Sequence, residues 1–152
     1  MKLSANFQLS ELVKSQVAER KGISNNPSPT HIDNLKALCV NVLQPIRSHF
    51  DAPVLISSGY RSAEVCLAIG SSIKSQHIEG KAADIEVAGV DNKELAEWIR
   101  DNLEFDQLIL EFYRDGEPDS GWIHISWNSG ENRNQVLKAL RNDDGKVVYK
   151  PW

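Results

Sequence analysis

Apolar residues at Ile32, Leu35, Leu38, Cys39, Val42, Leu43 and Ile46 recur at three- and four-residue spacing, which predicts a buried helix starting after Pro29. Thr30 is the expected N-cap, and Pro45 predicts a kink or break near Leu43 because its ring removes a helix hydrogen bond. Earlier, Ser10 is read as the cap of a short helix with Leu9, Leu12 and Val13 turned inward, and Asn25 to Pro29 as a loop. Val54 to Ser57 reads as a short buried strand. Ser62 to Ile69 reads as a helix capped by Ser62 and ended by Gly70. The pattern then changes period. Ala83 to Val87, Phe105 to Phe112 and Trp122 to Trp127 read as strands, the last two forming an antiparallel hairpin. Between them Asp91 caps a helix whose inward face is Leu95, Trp98, Ile99 and Leu103. A last helix is predicted over 132–142, carrying Val136, Leu137 and Leu140. The tail, 143–152, is read as an Asp144-Gly145 turn and a short extended piece. Strands and helices interleave irregularly, which predicts an α+β fold with a small antiparallel sheet packed with helices, in one domain over 1–152.

Composition narrows the partners. A chain of 152 residues is long enough to bury about two thirds of its unfolded surface. The net charge of −4 argues against nucleic acid held by bulk charge. No run of about 18 apolar residues exists, so no membrane segment is predicted. The first ten residues lack the charged-then-apolar pattern of a secretory leader, so synthesis in the cytoplasm is expected. Cys39 and Cys66 sit among apolar residues and are expected to be buried free thiols.

Chemistry concentrates in the stretch from Ser75 to Asp84. His77 and Asp84 stand seven positions apart with Gly80 between them, and Asp84 opens a strand. Gly80 lets the backbone turn, so the loop can fold His77 back toward Asp84. His124 lies in another strand-like run. Two imidazoles and one carboxylate are a zinc ligand set that leaves a fourth tetrahedral position for water. Spacing alone leaves this beside the alternative of ordinary polar residues. Glu86 shares the face of Asp84 on alternation and is the nearest competing ligand.

The pattern Ser75-x-His77-x-x-Gly80-x-Ala82-x-Asp84, followed by Trp122-x-His124, resembles peptidase family M15, zinc peptidases of bacterial cell walls and phage endolysins. Ser58-Gly59-Tyr60-Arg61-Ser62 looks like that family's S-G-Y-R-S segment, and the likeness spans about residues 5 to 140. It implies a hedgehog-like, D-Ala-D-Ala-peptidase-like fold and Zn2+ on His77, Asp84 and His124. The implied reaction is hydrolysis of peptide bonds in peptidoglycan stem peptides by water activated on the metal. A D,D- or L,D-carboxypeptidase and an endopeptidase both fit. Many members place a Glu three residues before the last His; here that position is Gly121. Asp119 and Glu117 lie on the connector, whereas Glu111 ends the strand that should pair with the His124 strand. Glu111 is therefore the expected general base, as in hedgehog-type relatives with a Glu on the neighbouring strand. The resemblance makes Arg61 a catalytic and substrate-binding residue, holding a substrate carboxylate or an oxyanion. Ser75 is a candidate substrate contact. Trp122 shares the face of His124 and is expected to wall the site, with Trp127 facing the core. The chain is expected to act as a monomer on the wall after release, or as part of a virion. The alternative reading is a non-catalytic binding or assembly module that keeps its metal, which the glycine at 121 favours.

Overall fold

The computed structural model describes residues 1–72 and 74–152. Strand β1 (Lys2–Ser4) pairs antiparallel with β2 (Phe7–Gln8), and α1 (Leu9–Val13) follows directly. The cap of α1 is Gln8 rather than Ser10, because Glu11 reaches back to the Gln8 N–H in a capping box. An unanticipated helix, α2 (Gln16–Lys21), is capped by the Ser15 hydroxyl and closed by Gly22. Helix α3 (Pro29–Leu38) begins two residues earlier than expected. Ser28, not Thr30, is the cap, and Pro29 sits at the first helical position where its missing N–H costs nothing. The break foreseen from Pro45 takes the form of a π-helical turn over Cys39–Leu43, leading into α4 (Gln44–Phe50).

Strand β3 (Val54–Ser58) is an edge strand of the main sheet and is not buried throughout: Val54 is covered and Leu55 is 52% exposed. Helix α5 (Ala63–Ala68) is capped by Ser62, as the sequence suggested. Strand β4 (Ala82–Val87), helix α6 (Asn92–Asn102) and strands β5 (Gln107–Glu111) and β6 (Trp122–Ser126) follow. The β5–β6 pairing is the antiparallel hairpin the sequence predicted. The expected last helix over 132–142 is instead strand β7 (Gln135–Arg141), and the tail forms β8 (Val147–Pro151). The reason is an unfilled sheet edge. Strand β5 has backbone groups that need partners, and β7 supplies them in parallel register from Gln107↔Gln135 to Glu111↔Ala139.

The resulting six-stranded sheet has the order β3-β4-β6-β5-β7-β8 and is antiparallel apart from the β5–β7 pair. The α+β class therefore holds. One face carries Ile85, Ile123, Ile125, Leu108 and Leu110, all buried, into a core shared with Leu95, Ala96 and Ile99 of α6 and with Leu35, Leu38, Leu43 and Ile46. Trp127 packs against this core, as expected. Cys39 and Cys66 are buried free thiols, and burial together with the nearby Glu11 pushes Cys39 up to about 12, which leaves it unreactive. Among the described residues no helix is long and apolar enough to cross a membrane.

Candidate active site

Period-2 alternation sends the neighbours of the core residues to the opposite face. In-register pairs then build two rows across that face. The first runs Asp84–His124–Ile109–Leu137 over β4, β6, β5 and β7. The second runs Trp122–Glu111–Ala139–Tyr149 over β6, β5, β7 and β8. Both rows lie under a cavity of about 780 Å³, whose rim includes Arg61, Ser75, Gln76 and His77.

His77 arrives from the loop before β4. Gly80, at φ +73, closes the turn by giving its N–H to the His77 carbonyl, and the Ser75 hydroxyl accepts from the His77 N–H. The His77 ring is buried and its Nδ1 lies 2.7 Å from the Gly59 carbonyl oxygen. A carbonyl only accepts, so Nδ1 carries the proton and the Nε2 lone pair is turned inward. That nitrogen lies 3.4 Å from Asp84 Oδ1, and His124 Nδ1 lies 3.3 Å from the same oxygen. The Nε2 lone pair of His77 thus faces the Asp84 carboxylate, acceptor against acceptor, unless a proton or a cation joins them. Ligands at about 2.0–2.1 Å from a tetrahedral zinc stand roughly 3.3–3.4 Å apart, which matches both separations. The three ligand atoms lie within 4.8 Å of one another, so the donor set fits a divalent cation. The Gly59 carbonyl is the kind of outer partner that fixes a ligand imidazole's tautomer.

Burial opposes the charge on Asp84, but hydrogen bonds and attraction from His124 and His77 hold its carboxyl below the usual range. Its second oxygen, Oδ2, accepts from Arg61 Nη2 at 3.2 Å, while Arg61 Nε donates to Ser58 Oγ at 2.8 Å. Arg61 therefore orients Asp84, a duty that its place in the S-G-Y-R-S segment did not suggest. Its Nη1 has no protein partner among the described residues. Glu111 is half-buried. Burial, then Asp84, push its carboxyl up, against the opposing pull of His124, Trp122 and Arg61. The Trp122 indole N–H lies close enough to favour the Glu111 anion, yet it meets no acceptor within hydrogen-bond geometry. Glu86, the competing ligand, accepts instead from Asn92 Nδ2 at 3.0 Å and takes no part in the cavity.

Position 121 explains this chain's departure from the commoner pattern. Gly121 has φ +65, and a Cβ there would overlap the Glu111 carbonyl oxygen and lie 2.8 Å from the Phe112 carbonyl carbon. No side chain fits at that position, so a carboxylate three residues before His124 is sterically forbidden here. A carboxylate on this side of the site has to come from β5.

A family model described as Peptidase M15 matches residues 5–126. The chain belongs to the M15 peptidases. The matched span takes in Arg61, His77, Asp84, Glu111 and His124, and ends at the last residue of β6. No curated protein matches the chain. M15 peptidases are metallopeptidases, and the His77–Asp84–His124 group is the place where this member can hold a metal.

Sequence reasoning missed residues around the site as well. Asp106 is buried and accepts from Arg133 through its backbone N–H, Nε and Nη2, and from Gln76 Nε2 at 2.8 Å. It ties the residue next to His77 to the start of the C-terminal hairpin. The signal available was a lone acid at the head of an apolar run, which spacing does not distinguish from a surface carboxylate.

Proposed function

We propose that this M15 member is a zinc peptidase that hydrolyses peptide bonds in peptidoglycan stem peptides. The convergence of His77, Asp84 and His124 under an open cavity, with Glu111 one row away on the same sheet face, carries this reading. A divalent cation held by the three ligands supplies Lewis-acid activation of water and of an amide carbonyl. The protein groups do the rest. Glu111, whose carboxylate burial makes more basic, accepts a proton from the attacking water and returns it to the leaving amine. Arg61 fixes the Asp84 carboxylate through Nη2 and keeps Nη1 for a substrate carboxylate or the developing oxyanion. Ser75 holds the His77 loop and, with Trp122, bounds the peptide. The proposed place of action is the wall, reached after release from the cytoplasm or aboard a virion.

The second reading, a metal-holding module without catalysis, is favoured by the glycine at 121, and one variant separates the two. Purified wall digested by the zinc-loaded protein should release peptide fragments, identified by mass, and chelator should stop the release. Glu111→Gln should lower the rate by about 10²–10⁴-fold with metal content unchanged. His77→Ala should lose the metal itself. Full activity in Glu111→Gln removes Glu111 as the base; an inert wild-type protein with bound zinc supports the module.

A further inference from the structure

The segment that matches the family stops at Ser126, yet the cavity does not. Its far wall is the hairpin of β7 and β8, which contributes Gln135, Leu137 and Tyr149. Tyr149 stands in register with Ala139, which stands in register with Glu111. Ala139 is fully buried between them and is the smallest side chain in that row, which leaves room for the phenol ring to lean over toward the carboxylate. The ring lines the cavity while remaining 56% exposed, and its hydroxyl has no hydrogen-bond partner among the described residues.

The floor below it is rich in acceptors: the Asp84 and Glu111 carboxylates. A peptide laid across the floor offers N–H groups that the Glu111 carboxylate can accept from and carbonyl oxygens that both carboxylates repel. The carbonyls need donors; the floor offers the Trp122 N–H, which meets no acceptor, and the near wall supplies Arg61. Resting on the peptidase reading above, we propose that Tyr149 is a donor of the far wall: its O–H binds a backbone carbonyl of the substrate peptide and makes the C-terminal hairpin a determinant of substrate affinity. A phenol is already a protonated donor at neutral pH, and burial and the Glu111 charge push it further up.

The test uses the full chain, zinc-loaded for kinetics and metal-free for calorimetry with a soluble stem peptide. The variants are Tyr149→Phe, Tyr149→Ala and, on the opposite face of the strand, Lys150→Ala. Tyr149→Phe should raise KM about three- to tenfold, the size of one lost hydrogen bond, with kcat changed less than twofold. The metal-free protein should lose peptide affinity by the same factor, while zinc content, melting temperature and Lys150→Ala stay at wild-type values. Tyr149→Ala should lose more affinity still. Wild-type KM and peptide affinity in Tyr149→Phe, with the parent active, overturn the role of Tyr149 and leave the peptidase reading standing. A fall in kcat alone overturns it too. A parent that neither binds nor cleaves the peptide overturns both.

Discussion

Strands β4 and β6 and the hairpin of β7 and β8 form one sheet, but they come by their conformation differently. In β4 and β6, core residues alternate with polar or aromatic residues of the opposite face, and that alternation is visible along Asp84-Ile85-Glu86-Val87 and Trp122-Ile123-His124-Ile125. Burying one face fixes the register, because a slip of one residue would send His124 into the core. Strand β7, Gln-Val-Leu-Lys-Ala-Leu-Arg, has the composition of a helix, with good helix formers at six of its seven positions, all but Val136. Nothing local makes it extended. It is extended because β5 offers an open edge, and because Asn134, at φ +51 with its side chain accepting from the Phe105 N–H, starts the chain along that edge. The ligand strands specify themselves; the hairpin is specified by its neighbour.

The largest expected effect strikes the self-specified side. Gly121→Glu restores the commoner family residue but places a Cβ against the Glu111 and Phe112 backbone in a left-handed conformation. It should cost more than about 3 kcal/mol, combining backbone strain with overlap, and lower the melting temperature by at least about 6 °C. It should also fail to rescue Glu111→Gln. A folded, active double variant would show that β5 and β6 can part, and that the ligand strands are less constrained than their burial suggests.

A middle-sized effect tests the hairpin. Ala139→Leu inserts volume at a site fully buried beside Glu111 and Tyr149. Overpacking of this kind costs about 1–3 kcal/mol, a fall of roughly 3 to 10 °C in a thermal melt. On a helix with Val136, Leu137 and Leu140 inward, Leu at 139 would be nearly neutral, so an unchanged melt would argue for the local propensity over the sheet.

The smallest effect lies at the seam. Arg133, more than burial opposes it, holds the Asp106 carboxyl below the ordinary carboxylate range. A depressed folded-state pKa contributes stability that is present above the unfolded value of about 3.9 and is lost as pH falls through the lower folded value. Asp106→Asn should remove that part of the acid-side decline in stability, measured by denaturation at stepped pH, and leave neutral-pH metal content unchanged. An acid limb identical to wild type would cut the proposed tie between Gln76 and Arg133.

Much of the site could be read from the chain. The strand alternation put Asp84 and His124 on the face turned away from the core, Gly80 marked the turn that returns His77, and the β5–β6 hairpin brought Glu111 alongside. Those features rest on local rules: period, turn chemistry and the burial of one face. What local rules do not contain is which backbone fills an empty edge. The sequence alone therefore determined strands β4 and β6, the helices capped by Ser62 and Asp91 and the break before Pro45. Only the folded sheet decided that 135–141 is a strand, that Arg61 anchors Asp84, that no side chain fits at 121, and that Tyr149 reaches the cavity. Each of these depends on backbone or side chains brought close from distant parts of the chain, where steric exclusion and hydrogen-bond demand outweigh the preferences of the segment itself.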